Sequence, residues 1–267
     1  MVHELARNCF PENLSSLHAG EEEVRRRSIE FIEGDAELLL HLNMIERVMD
    51  LLQFIRQDYG EITDGQLIVK LLGARLFNDM GAAIRLALGG YYQAAGSHIR
   101  DMLETSFLLD YFSTDHALIL SWKSADEGIR NKEFNQAKIR KALDERDGFT
   151  EAKRYEHYKL LSSVASHPTF DGFGMLRPQA GADAHMGPFF VKGLLSATAQ
   201  ELVKVAVISS GCFRQFFKPS NVVQYRASIA HLESISHWSG AVFGKALDQR
   251  QFHELRELLT AIEADGP

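Results

Sequence analysis

The sequence predicts an all-α protein: a multi-helix bundle of about eight to ten helices, a single helical domain over residues 1–267, with one long ordered loop. Three observations carry that expectation. Apolar residues recur at helical spacing along most of the chain, whereas no segment alternates with the period of two that marks a half-buried strand. Helix start and stop residues bracket the periodic stretches one after another. With 45% hydrophobic and 24% charged residues, the composition is that of a globular chain with a real core rather than a disordered one.

Residues 1–62 form acidic N-terminal helices, with 13 Asp and Glu against 6 Lys and Arg; the remainder holds 23 of each and is neutral. In EEEVRRRSIEFIE, Glu21, Glu22 and Glu23 each stand four residues before Arg25, Arg26 and Arg27. That order supports an exposed helix by about 0.2–0.5 kcal/mol per pair. Asp35 opens a second helix that runs to near Gly60. Thr63 or Asp64 caps a third, closed by Gly89 and Gly90, and the fourth is the stretch from Tyr91 to Phe112. Residues 63–113 thus make the central helices.

Residues 115–147 are more polar and read as shorter, exposed helices stopped by the Asp147-Gly148 turn. Thr150 is expected to cap EAKRYEHYKLLSSVAS, which Pro168 shuts off. Residues 168–193 hold three of the six prolines and five glycines, with Phe170, Phe173, Phe189 and Phe190 among them. Such an aromatic loop is expected to be ordered, as a lid or a partner contact. Two long helices follow, one stopped by Pro219 and one capped by Asn221, before a last amphipathic segment, QRQFHELRELLTAIEA.

The two central helices carry the functional question. Wound at 100° per residue, residues 91–112 place Gln93, Ser97, Asp101 and Glu104 on one narrow arc with Arg100 at its border, and apolar residues nearly everywhere else. On the preceding helix Leu67, Ile68, Val69, Leu71, Leu72, Leu76, Phe77, Met80 and Ile84 almost surround the axis, while Arg75, Asn78, Asp79 and Arg85 share one side. An unpaired buried charge costs several kcal/mol. The stripes therefore meet solvent, pair within their helices (Arg100 with Glu104, Arg75 with Asp79), or face one polar cleft. Tyr158 and Ser162, four residues apart, and His167 at a helix end are expected to join that cleft. The candidate ligand-binding set is Arg75, Arg85, Arg100, Glu104, Tyr158, Ser162 and His167.

Other chemistry finds less support. The chain lacks Glu-x-x-His, His-Glu-x-x-His and clustered cysteines, so neither a metal nor another cofactor is expected. Glu37 with His41, and His98 beside Asp101, read as surface partners. No Gly-x-Ser-x-Gly occurs, and Cys212 reads as a buried inert thiol. Two cysteines far apart, an N-terminus without an apolar core and no run of about 18 apolar residues suit a soluble protein of a reducing cytoplasm.

AIRLALGGYYQAAGSHIRDMLETSFLLDYF, followed by YKLLSSVASHP, resembles uncharacterised bacterial all-helical proteins in which an Arg-x-x-x-Glu helix precedes a Tyr-x-x-Leu-Ser helix ending in His. The likeness covers about residues 65–170. Such bundles are likened to HEPN domains, many of them metal-independent ribonucleases, including toxin and phage-defence types. There an Arg holds the phosphate and a His four to six residues later handles the proton. That spacing occurs here once, as Arg226 and His231 in RASIAH, with Ala227 in place of the family's polar residue. The two would lie about 140° apart on an ideal helix. Catalytic candidates are accordingly Arg226, His231 and His167.

The expected function is a binding or regulatory module holding a small anionic ligand or an acidic partner in the arginine-lined cleft. The alternatives are a HEPN-like ribonuclease and a structural scaffold. RNA is disfavoured by the absence of bulk basic charge, and a homodimer is expected through the phenylalanine-rich loop and the apolar final helices.

Overall fold

The computed structural model describes residues 10–60, 63–166, 168–179 and 181–264, of which 79% are helical and none is in a strand. In chain order the helices are α1 Glu12–Glu33, α2 Ala36–Asp58, α3 Asp64–Leu88, α4 Tyr92–Thr114, α5 Ala117–Ser124, α6 Glu127–Glu133, α7 Gln136–Arg146, α8 Lys153–Leu161, α9 Lys192–Arg214, α10 Val222–Phe243 and α11 Gln249–Ala264. A π turn, Ser162–Ser166, extends α8, and a 3₁₀ turn covers Gly172–Leu176. No helix among the described residues is long and apolar enough to cross a membrane.

Local chemistry sets several of these boundaries as the sequence indicates. Asp35 Oδ1 accepts from the backbone N–H groups of Glu37 and Leu38 at 3.0 and 3.1 Å, satisfying the open end of α2. Thr63, rather than Asp64, caps α3 through a reciprocal pair: Gln66 N–H donates to Thr63 Oγ1 (3.2 Å) and Thr63 N–H donates to Gln66 Oε1 (3.1 Å). Asn221 Oδ1 accepts from Gln224 N–H at 3.0 Å at the start of α10. On α1 the ion pairs form mainly at three-residue spacing, Arg25 with Glu22 (2.7 Å) and Arg26 with Glu23 (2.8 Å), although four-residue pairs are expected.

Helix α8 departs from expectation at both ends. It begins at Lys153, after Ala152 in the left-handed region (φ 46°), and Thr150 does not cap it. The Arg154 guanidinium, held by Asp144 (2.7 Å) and by Asp147, fixes the first turn further along. At the other end α-geometry stops at Leu161, well before Pro168. There α4 captures the backbone: Ser97 Oγ donates to the Ala165 carbonyl (2.9 Å), and Gln93 Nε2 reaches the Val164 carbonyl (3.5 Å). Gly96 permits this approach, since a Cβ there would stand 2.9 Å from that of Ala165. Carbonyls drawn toward α4 suit the wider π turn.

Helix α4 is the axis of the fold. It packs against α3, α9, α7, α8 and the π turn, and residues from Tyr92 to Phe112 are buried around most of its circumference. Helix α9 in turn packs on α2 and α3, and α10 packs on α2 and α11. The stacking of α3 on α9 depends on Gly73, where a Cβ would fall 2.4 Å from a ring carbon of the buried Phe213. Not every apolar residue of α3 turns inward: Leu67 and Leu71 remain 46% and 63% exposed. The long loop is also divided. Phe189 is buried edge-on to Tyr92 (centroids 5.5 Å apart), and Phe190 meets Phe31 (6.0 Å), while Phe170 and Phe173 pair with each other in solvent.

Replacing Gly73 by Ala tests the α3–α9 approach. Helix propensity alone favours Ala by about 1 kcal/mol, but overpacking against Phe213 should dominate and lower stability by about 1–3 kcal/mol. An unchanged or raised urea midpoint would refute the close approach.

Candidate functional site

The charged stripes of α3 and α4 do pair: Arg100 with Glu104 within α4, as the spacing suggests, but Arg75 and Asp79 each across to the other helix. Arg75 forks onto Asp101, donating from Nε (2.8 Å) and Nη2 (2.6 Å), where the spacing alone suggests Asp79. Adjacent helices bring the planar guanidinium opposite a carboxylate that matches both donors, which a four-residue step within one helix does not offer. Asp79 instead meets His98 Nδ1 at 2.8 Å, so His98 is the partner of Asp79 and not of Asp101. Burial, then the neighbouring Asp101 carboxylate, raises the Asp79 carboxyl. Burial alone would raise Asp101 too, but Arg75 holds it below the usual range. Arg85 stands apart, exposed and within the field of Glu21 and Glu22 on α1.

The second group forms between α4, α7 and α8. Arg100 Nη2 donates to Glu104 Oε1 (2.6 Å) and to Tyr158 Oη (3.0 Å), and its guanidinium carbon lies 5.1 Å from the centre of the Tyr158 ring. Arg140, from α7, lies only 3.9 Å from the same ring centre and is 6% exposed. Gln136 Nε2 reaches the Glu104 carbonyl at 3.4 Å, and Ser162, one turn beyond Tyr158, is buried at the start of the π turn. Within this one group Arg100 Nε, Arg140 Nη1, Gln136 Oε1 and Ser162 Oγ are buried without a hydrogen-bond partner among the described residues. Buried polar atoms are nearly always paired, so four orphans together mark a place built to meet something further. Two guanidiniums against one carboxylate also leave the group formally cationic.

Arg140 and Gln136 were the residues sequence reasoning missed, because 115–147 read as exposed. The signal is nonetheless there: Gln136, Arg140 and Leu143 follow each other at four and three residues, so a charge occupies the narrow apolar face of α7. Arg140 also lines a groove of about 320 Å³ with Lys141, Asp144, Phe149 and Tyr155. The scaffold alternative is favoured if Arg100 and Glu104 are paired and inaccessible, with no cavity beside them; they are paired, and their side chains stay 24% and 22% exposed. Ion pairs hold α7 and α8 in place beside them. Arg154 binds Asp144 and Asp147, Arg146 binds Asp110 (2.8 Å), and His157 Nε2 meets Glu201 of α9 at 3.1 Å. His157 first, then Lys204, holds the Glu201 carboxyl down at about 2.

The remaining candidates are dispersed. His167 lies outside the described residues. Arg226 points to Glu263 of α11 (2.7 Å) and is exposed, whereas His231 is buried on the core side of α10, so the two share no site. Ser210 Oγ donates to the Val207 carbonyl (2.8 Å) and therefore accepts from His231 Nε2 (3.0 Å). Burial and the nearby Arg214 lower His231 to about 4, leaving it neutral at pH 7. Ser210 itself is fully buried, which closes this Ser–His pair to a substrate. His41 lies 3.7 Å from Glu37 through Nε2 but is buried rather than at the surface, and its Nδ1 accepts from Trp238 Nε1 at 3.1 Å. Cys212 is pushed up to about 12 by burial, as an inert thiol should be. Among the described residues no three His, Cys, Asp or Glu side chains converge as metal ligands.

Comparison with protein-family models, with curated proteins and with solved structures gives no match for this chain.

The tie between α8 and α9 has a pH signature. Glu201 has its carboxyl depressed from 4.5 to about 2 in the folded state, so its contribution is complete above the unfolded value and disappears as pH falls from about 4.5 to about 2. Glu201→Gln should lower the urea midpoint at pH 7, with the gap to wild type narrowing below pH 4.5 and closing only near pH 2. A gap that stays constant over that range would refute the assignment.

Proposed function

We propose that this chain is a binding module whose cleft between α4, α7 and α8 takes a small oxyanion, a carboxylate or a phosphate, against Arg100 and Arg140. The observation that carries the reading is the concentration of four unpartnered buried polar atoms around Tyr158, two of them guanidinium N–H groups. Each needs an acceptor, and a charged oxygen is the strongest one available to a guanidinium. Stacking on the Tyr158 ring holds the two guanidinium planes before any ligand arrives. Glu104 orients Arg100 and limits the repulsion between the two cations; Ser162 Oγ can donate to the anion, and Gln136 Oε1, an acceptor, favours an anion that carries a protonated oxygen, such as monohydrogen phosphate. Arg75 and Arg85, which the sequence suggests for the same cleft, take no part: the first is spent on Asp101 and the second faces α1. Two cysteines far apart in sequence support a reducing compartment as the setting.

Titration calorimetry with inorganic phosphate and with acetate tests the reading on the full chain. Wild type should bind at least one of the two. Arg140→Met and Arg100→Met should each weaken binding about 10- to 100-fold, matching the roughly 1.5–3 kcal/mol of a hydrogen bond to a charged group. Arg75→Met should bind as wild type does. Equal affinity in wild type and Arg140→Met, or no binding of either anion, would overturn it.

A further inference from the structure

Where α2 ends beside α3, a pocket of about 230 Å³ opens between these two helices and α9. Its apolar lining comes from all three: Leu52 of α2, Phe77 of α3 and Phe213 of α9. Two small residues of α3 make the space. At Gly73 the Phe213 ring rises to the helix backbone, and a Cβ there would stand 2.4 Å from a ring carbon. An aromatic surface thus fills the place a side chain would take. Ala74 follows, exposed, and puts only a methyl group in the opening. Two phenylalanine rings in one small pocket favour an aromatic occupant in offset or edge contact.

The polar part of the lining has one sign. Arg56, in the last turn of α2, and Lys70 of α3 both line the pocket, and no Asp or Glu does. The two acids flanking Arg56 on α2 are engaged elsewhere: Asp50 with Arg47 at 3.5 Å, and Asp58 with Gln224 of α10 at 3.2 Å. Arg56 Nε donates to Gln53 Oε1 (3.3 Å), and Lys70 Nζ donates to the Tyr59 carbonyl (2.7 Å). These contacts fix both cations while leaving each with further N–H donors. The open carbonyls at the end of α2 carry a charge of about −0.5, which offsets only part of two positive charges. Burial first, then the field of Arg56, lowers the Lys70 ammonium.

We infer that this pocket binds a small aromatic carboxylate, its ring against Phe77 and Phe213 and its carboxylate against Arg56 and Lys70. The volume falls below the roughly 300–1,000 Å³ of a pocket for a drug-sized ligand, which limits the occupant to about one ring with its charged group. A guanidinium and an ammonium together supply the charged donors a carboxylate takes best. The site is independent of the oxyanion cleft on α4, α7 and α8, and it asks for a different ligand. Acetate and phosphate lack the apolar body that the phenylalanine wall is built to cover.

Benzoate is the probe, titrated into the full chain carrying Arg140→Met so that the other cleft is disabled, and followed by broadening of the ligand's proton resonances. Benzoate should bind saturably, and acetate and benzyl alcohol should each bind about tenfold or more weakly, since one lacks the ring and the other the charge. Adding Arg56→Gln, at an exposed position, should weaken benzoate about tenfold. Adding Ala74→Leu should close the opening and abolish binding while leaving both cations in place, with helical circular dichroism unchanged. No saturable binding of benzoate, equal affinity for benzoate and benzyl alcohol, or an affinity unmoved by either substitution overturns the inference.

Discussion

The enclosure of α4 governs the rest of the molecule. A helix surrounded by α3, α9, α7, α8 and a π turn has little face left for water, so every polar group on it must be met by something. Asp101 is met by Arg75, Glu104 by Arg100, and Ser97 and Gln93 by the backbone of the π turn. Ser106, in the core, is met by Ser209 of α9 at 2.7 Å. The charged residues amid the apolar run are thus points of attachment, and each neighbour of α4 is held in register by at least one of them.

This arrangement explains which features could be read from sequence. Caps act within three residues, so Asp35, Thr63 and Asn221 are visible in the local pattern, as is the polar arc of α4. Partners chosen by tertiary approach are not. Arg75 has an acid at Asp79 on its own helix, yet the crossing of α3 and α4 offers it the better fork at Asp101. His41 and Glu37 do pair, but α10 brings Trp238 over the imidazole from 197 residues away and buries it. The π turn leaves no mark in composition, because its cause lies in Gly96 and Ser97 on another helix. Arg140 was legible in principle, by its place on the apolar face of α7, but the strongly polar composition of that helix obscured it.

The group around Tyr158 is chemically unlike the Arg75–Asp101 fork. In the fork the donors and acceptors are matched, and the charges cancel. Around Tyr158 two guanidiniums share one ring and one carboxylate, with donors and acceptors left over. Rigidity comes from outside the group: Arg154 and His157 fasten α8 to α7 and α9, and Arg146 fastens α7 to α4. Tyr158 and Ser162 therefore sit on a segment pinned by ion pairs to α7 and α9.

The central position of α9 also bears on how the chain is made. Helix α4 is complete at Thr114, but the helix that covers one of its sides ends only at Arg214. At about 5–20 residues per second, a ribosome needs roughly 5–20 s to deliver the intervening hundred residues. Through that interval α2, α3 and α4 must present the apolar surface destined for α9 to the surroundings of the nascent chain. The bond between His41 and Trp238 can close only later still. The native core therefore closes only after α9 and α10 have been made, and the early helices are the part of this protein most in need of protection until then.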